Sequence, residues 1–342
     1  MTAPLLRAPV GVRRARPSDR ARIEAFVRAH PGATPFHLPA WGEAVEAACG
    51  QRAITLMAER ANGTLAGVLP MTHVRSPLFG RALVSCGFAV DGGALGEAEA
   101  LASGASALAA TLGCPSVELR GGAAPAGWAV DAATYVGFAR DLAGDDEAQL
   151  LAIPRKQRAE VRKALAADLT IDIHADADVH HRVYAESVRN LGTPVFPRAL
   201  FRAVLATMDA DVLTVRHRGR AVASVLSLYW RGTVHPYWGG GTREARELRA
   251  NDRMYVALMA HARARGCTRF DFGRSKAGTG AAAFKKNWGF EPRPLAYATW
   301  SAGAPRVVNP LDPRYALMVR TWRRLPLPLA NAVGPWISRG LG

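Results

Sequence analysis

Apolar and polar residues alternate along two long stretches of the chain, and a tight turn breaks each stretch once. Residues 54–74 run ITLMAER, the turn Asn62-Gly63, then TLAGVLPMTHV; residues 211–230 run DVLTVRH, Arg218-Gly219, then RAVASVLSLYW. A period of two puts alternate side chains on one face of a strand, and a two-residue break ending in glycine folds two strands into a hairpin. The hairpins also match residue by residue, Ala66-Gly67-Val68-Leu69 aligning with Ala223-Ser224-Val225-Leu226.

The segments after the two hairpins repeat as well. A glycine-rich stretch comes next, Asp91-Gly92-Gly93 in one half and Gly239-Gly240-Gly241 in the other. Each then meets an Ala/Leu-rich helix that stops at a glycine before a strand, in LGCPSVELRGG (112–122) and RGCTRFDFGRS (265–275). Segments 13–30 and 177–191 supply a further helix at the start of each half, and Gly144-Asp145-Asp146 marks a linker over 139–151. Self-similarity at roughly 155 residues is too long for a solenoid and predicts a duplicated domain. A chain of 342 residues has room for two. The expected fold class is α/β with mixed sheets (α+β) in two tandem copies. The first spans residues 1–150 and the second 151–310, with a basic tail containing proline and tryptophan over 311–342. Two unrelated α/β domains are the alternative.

Charge narrows the picture less than its size suggests. A formal net charge of +16 attracts polyanions such as RNA, anionic membrane surfaces and diphosphate-bearing substrates. An arginine-rich composition written over solvated faces would give the same total. The four cysteines, at 49, 86, 114 and 267, form no CxxC pair, which predicts neither zinc nor disulfides and suits a reducing cytoplasm. The N-terminal MTAPLLRAPVGVRRARPSDR lacks the apolar run of a signal peptide, and no stretch has the length of a spanning helix.

Two segments concentrate candidate chemistry. The predicted helix 154–168, PRKQRAEVRKALAAD, places Arg155, Arg158 and Arg162 on one face with Lys156 and Lys163 beside them, a surface that suits phosphate or simply solvent. Segment 271–290 runs from a strand end through a glycine-rich basic loop to Phe284-Lys285-Lys286. Glycines let backbone N–H groups approach an anion, and lysines place positive charge where an oxyanion forms. The turn Asn190–Pro197, with Thr193, and the strand end Tyr237–Thr242 could line a cleft or could be packing. HExxH, GxSxG, GxGxxG and Walker A spacings are all missing. A metal-free transferase relying on placement and fixed positive charge is the chemistry left.

Several of these stretches resemble the FemAB family, and closely the FemAB-like proteins associated with exosortase/PEP-CTERM gene systems. They are Leu151–Arg158, Glu186–Pro197, Phe270–Lys276, Phe284–Phe290 and Arg324–Asn331, and the likeness runs nearly end to end. The resemblance implies two GNAT-like domains and transfer of an aminoacyl or acyl group to an amine of an envelope-polysaccharide or peptidoglycan precursor. It implies aminoacyl-tRNA or acyl-CoA as co-substrate and no permanently bound cofactor. It also puts a Phe-Lys motif at Phe284-Lys285, making Lys285 the catalytic cation. Arg274, Lys276 and Lys286 are then neighbouring cations, and Asp271 the acceptor of the amine's proton. Arg155, Arg158 and Arg162 would meet substrate phosphates, with Thr193 and Tyr237 lining the cleft. Two departures stand out: the long helical hairpin linked to tRNA in FemA-type members is absent, and Glu247–Asp252 has no glycine where a CoA pyrophosphate is cradled. The first copy offers Leu95-Gly96-Glu97-Ala98 there, with the wrong charge for pyrophosphate.

The rival readings are a non-catalytic binder of an anionic polysaccharide precursor, an acyl-CoA-dependent N-acyltransferase and, third, a nucleic-acid binder. The expected partners are a small-molecule or lipid-linked glycan substrate, tRNA, and the inner face of a membrane through peripheral contact. For that last contact the tail offers Arg320, Arg323, Arg324 and Arg339 with Trp322 and Trp336, and no acid after Asp312. The same tail could instead bury its tryptophans against the second domain.

Overall fold

The computed structural model describes residues 10–303 and 313–342. Residues 1–9 and 304–312, which include the last acid Asp312 and the start of the tail, lie outside the described residues.

Two compact units emerge. Among the described residues the first comprises 10–132, 296–303 and 340–342, the second 133–295 and 313–339. In chain order the first contains β1 (Val10–Arg14), α1 (Arg20–Ala29), α2 (Pro39–Cys49), β2 (Arg52–Arg60), β3 (Leu65–Ser76), β4 (Gly80–Ser85), β5 (Leu95–Gly96), α3 (Ala98–Leu112), β6 (Ser116–Arg120) and β7 (Ala129–Asp131). The second begins with β8 (Tyr135–Asp141), α4 (Asp146–Leu151), α5 (Arg155–Ala166), β9 (Thr170–His174), α6 (Ala177–Leu191), α7 (Arg198–Thr207), β10 (Ala210–His217) and β11 (Arg220–Trp230). It continues with β12 (Thr233–Gly241), α8 (Arg243–Glu247), α9 (Ala250–Ala264), β13 (Arg269–Lys276), α10 (Gly280–Asn287) and β14 (Pro292–Pro294). The chain then returns to the first unit as β15 (Tyr297–Ser301), and α11 (Pro313–Arg324) and α12 (Leu327–Ser338) belong to the second.

The two sheets share one plan. The first is ordered β1-β2-β3-β4-β6-β15-β7, with β5 on β3; the second is β14-β8-β13-β12-β11-β10-β9. In each, four strands pair antiparallel in succession, and a helix then crosses to a fifth strand that pairs parallel, β4 with β6 through α3 and β12 with β13 through α9. A further antiparallel strand completes the match, β15 on β6 and β8 on β13. The predicted hairpins are β2–β3 and β10–β11, and both crossover helices stop where a glycine takes the left-handed conformation, Gly113 (φ 64°) and Gly266 (φ 80°).

Three details depart from the sequence reading. The helix expected over 13–30 begins only at Arg20, because Val10–Arg14 joins the sheet edge on β2 and Pro17 opens a separate short 3₁₀ turn before it. The linker expected over 139–151 is largely structured, by the end of β8 and by α4, whose cap Asp145 accepts the Ala148 N–H. A strand that precedes residue 150, β8, pairs in the second sheet, and one that precedes residue 310, β15, pairs in the first. Each unit has its own core, Leu69, Leu83, Leu101 and Val117 in the first and Val225, Leu258, Phe270 and Trp288 in the second. Each such burial contributes about 1.5–3 kcal/mol.

Candidate active site

The second sheet opens where β12 meets β13. The two strands pair at Thr233↔Arg269 and Val234↔Phe270 and then part, although β12 runs on to Gly241 and β13 to Lys276. Both strands bend at this point. On β12, Leu226 pairs with Trp238 and Ser227 with Pro236, so Tyr237 is an extra residue beside a proline that has no N–H for the ladder. On β13, Asp271 pairs with Ala139 and Arg274 with Gly137, so Phe272 and Gly273 together oppose Phe138. Gly273 takes φ 68°, a left-handed conformation that favours glycine, and its N–H donates to Asp271 Oδ1 at 2.8 Å.

A cavity of about 460 Å³ lies at the β12 side of this wedge. Gly239, Gly240 and Gly241 form one wall; Ser187, Asn190 and Leu191 of α6, Tyr255 of α9, and Ala281 and Phe284 of α10 form others. Thr242, Asn251 and the exposed Arg243 and Arg246 complete it. The glycines are dictated by packing: a Cβ on Gly240 would sit 2.4 Å from Ser187 Oγ, and one on Gly241 2.7 Å from Asn251 Oδ1. Thr242 Oγ1 and Asn251 Oδ1 are buried here without a hydrogen-bond partner among the described residues. Buried polar atoms ordinarily have partners, so two orphans in one cavity suit a polar ligand or bound water. Gly240→Ala should therefore lower stability by about 1–3 kcal/mol through overpacking. Adding Ser187→Gly should restore part of the denaturation midpoint; no restoration would place the clash elsewhere.

Beside the cavity, Lys285 fastens the β13 bulge. Its Nζ donates to the carbonyls of Phe272 (2.6 Å), Gly273 (3.2 Å) and Arg274 (3.0 Å), which uses all three of its protons. The Phe138 and Phe272 rings lie 5.5 and 5.8 Å from the same nitrogen. Burial draws its pKa down to about 8, with the Asp271 charge opposing that fall and Arg274 adding to it. Asp271 also lies 3.6 Å from His235 Nδ1, and the Arg274 guanidinium covers the Tyr135 ring at 4.6 Å.

The other residues singled out in the sequence scatter. Arg158 turns back to donate to the carbonyls of Leu151 and Ile153, while Arg155 and Arg162 are exposed on α5. That helix buries Val161 and Ala164, so the cationic stripe keeps two of its three arginines toward solvent. Lys276 gives its carbonyl to the Thr279 hydroxyl, and Lys286 is exposed. Thr193 is exposed just past the left-handed Gly192 that ends α6, and Tyr237 packs edge-on against Trp238 at 4.8 Å. Asp271, Arg274 and Lys285 are thus brought together. Near Thr193 and Tyr237 it is their neighbours, Asn190, Leu191 and Gly239–Thr242, that line the cavity. Ser187, Asn251 and Tyr255 were not legible as site residues; the cations Arg243 and Arg246, directly after the glycine run, were the available signal.

This arrangement has counterparts. Residues 155–286 match the family model of the acetyltransferase (GNAT) domain. The solved structure of FemX is similar over 90% of this chain and 100% of its own, at 15% identity and a TM-score of 0.64. The C-terminal domain of a protein assigned as a lysylphosphatidylglycerol synthetase in Agrobacterium fabrum is similar over 89% of this chain and 95% of its own, at 14% identity and a TM-score of 0.57. A tandem GNAT protein of the clavulanic acid biosynthesis pathway, solved without AcCoA, is similar over 87% of this chain and 100% of its own, at 13% identity and a TM-score of 0.56. The chain has the tandem GNAT-like fold. Among curated proteins none matches it. In this fold the parted β12 and β13, with the cavity beside them, fall within the matched GNAT region.

Proposed function

We propose that the second unit transfers an aminoacyl or acyl group from an activated donor to an amine. The parting of β12 from β13 carries this reading. Beyond Val234 the β12 edge that faces β13 no longer pairs with it, next to a cavity able to hold an extended donor arm, and a strand edge of this kind binds an amide-containing chain well. Arg243 and Arg246 would meet donor phosphates, since a guanidinium fork matches phosphate oxygens. In the transfer the amine nitrogen attacks the donor carbonyl carbon, the bond to the leaving oxygen or sulfur breaks, and the leaving group takes up a proton. Asp271 would accept the proton the amine loses, with His235 beside it. Lys285 would act as a positioning residue, because its three protons hold the bulge that carries Asp271 and Arg274. An acceptor on an envelope-glycan or peptidoglycan precursor is supported by the sequence resemblance, as is the association with exosortase systems.

Of the two donor classes, one observation favours the aminoacyl ester. At the start of α9, where a pyrophosphate cradle needs a free glycine turn, Arg249 occupies the left-handed position (φ 54°) and pairs with Glu160 at 2.8 Å. The test supplies aminoacyl-tRNA or acetyl-CoA with amine-bearing precursors and follows acceptor mass. Mass gain with aminoacyl-tRNA is expected, and Arg243→Ala with Arg246→Ala should weaken donor binding at least about tenfold. Transfer from acetyl-CoA alone would reverse the donor assignment, and donor binding without any transfer would make this a binding protein.

A further inference from the structure

The C-terminal helices carry an uncovered apolar face. α12 turns Ala330, Gly334 and Ser338 inward, at helical spacing, against the turn after α6: Ser338 Oγ donates to Val195 O at 2.8 Å, and Gly334 lies close to the Val195 backbone. Its opposite side presents Leu329, Val333 and Trp336, which are 48%, 37% and 47% exposed. These residues at i, i+4 and i+7 form one stripe. α11 adds Leu317 and Met318, and it is pinned beside the cavity rim: Arg323 donates to Leu191 O, Arg189 donates to Arg323 O, and Val319 fills the space over Gly192. Leu191, which lines the cavity, is itself exposed.

Charge identifies the occupant. Residues 317–342 contain arginines at 320, 323, 324 and 339 and no Asp or Glu. A second copy docked about a two-fold axis would set these arginines against their own kind, which costs binding energy. An anionic lipid headgroup layer meets the same cations with opposite charge, accepts the tryptophan at its interface and covers the leucines. No helix among the described residues is long and apolar enough to cross a membrane, so the contact lies along the surface. α12, with 12 residues, is about 18 Å long, and Pro335 within it removes one backbone donor.

We infer that α11 and α12 form a peripheral docking surface for an anionic lipid bilayer, and that docking holds the cavity rim near the membrane plane. On the reading of the cavity as a transfer site, the surface brings that site to lipid-linked acceptors. It needs no donor, so its test is separate from that of the transfer chemistry.

The experiment is flotation of the full chain with vesicles of phosphatidylcholine alone or mixed with phosphatidylglycerol, at low and raised salt. The variants are Leu329→Ser/Val333→Ser/Trp336→Ser and Arg320→Gln/Arg324→Gln, all at exposed positions, with melting curves confirming the fold. Partition to the anionic vesicles should exceed that to neutral ones at least about tenfold and weaken with salt. The arginine pair should lose roughly fivefold per residue, the equivalent of about 1 kcal/mol each. The serine triple should abolish flotation. Equal partition to both vesicle types, or unchanged flotation of the triple, overturns the inference. So does a wild-type dimer in size-exclusion that the triple converts to monomer without any vesicle binding, which would make the face a contact between copies.

Discussion

Replacing Lys285 by methionine is expected to lower turnover about a hundredfold while the chain still folds, the penalty typical of reacting groups displaced by about 1 Å. Methionine preserves the volume but offers no donor, so the carbonyls of Phe272, Gly273 and Arg274 lose the ammonium they share. A buried carbonyl left unmet costs about 1–3 kcal/mol, and relief from burying an ammonium offsets part of that. A drop of about 3 kcal/mol in unfolding free energy should therefore accompany the loss of turnover. Near-normal turnover in a destabilised variant would show that the bulge geometry is irrelevant to the chemistry.

The same lysine gives a pH signature with opposite signs for activity and stability. Its native pKa near 8 lies below the ordinary 10.5, so between these values the unfolded chain holds a proton that the native state has released. Its contribution to stability therefore rises with pH across that window. Activity should instead fall as pH climbs through 8, because the neutral amine has one N–H fewer than the three carbonyls require. Asp271→Asn should move the midpoint down and Arg274→Ala should move it up, measured by NMR on isotope-labelled, chemically unmodified lysine.

The second large effect is acid lability arising from buried neutral histidines. His180 is fully enclosed by α6, β11 and α7, with Nδ1 on Ser224 Oγ at 2.9 Å and Phe201 edge-on at 5.2 Å. Burial, and then the His181 and His174 charges, push its pKa down to about 3. Burial likewise lowers His37, His73 and His181. A folded pKa below the unfolded one means stability that is complete above pH 6.5 and is lost as pH falls toward 3. His180 alone should account for on the order of 4 kcal/mol. Asp252, raised to about 6 by burial, runs the other way and returns a part. Urea midpoints from pH 7 to pH 4 should show the fall, and His180→Asn, which keeps a partner for Ser224, should flatten it. An unchanged acid limb in that variant would move the effect to the other histidines.

Legibility in the sequence tracked locality. The hairpins β2–β3 and β10–β11 and helix α6 could be read because alternation, a glycine turn and a helix-stop glycine are all encoded within a few residues. The sheets to which β8 and β15 belong could not, since a short strand's partner is decided by contacts more than a hundred residues away. Lys285 stood out by its neighbourhood, but nothing in the sequence says that a bulge will consume its three protons. Arg158 misled for a related reason: helical spacing places its Cβ on a face without revealing that its guanidinium folds back to cap α4. The cavity mixes α6, β12, α9 and α10, so Ser187 and Asn251 gain their meaning only from Gly240 and Gly241.

The position of β15 has a consequence during synthesis. It sits between β6 and β7 in the first sheet, and β7 has no other strand partner among the described residues. A ribosome that has released residues 1–132 has therefore delivered every element of that sheet but one, leaving β6 with an open edge. At about 5–20 residues per second, the roughly 165 residues separating β7 from β15 impose a delay of about 10–30 s. Throughout it the nascent sheet offers its bare rim to chaperones or to neighbouring chains.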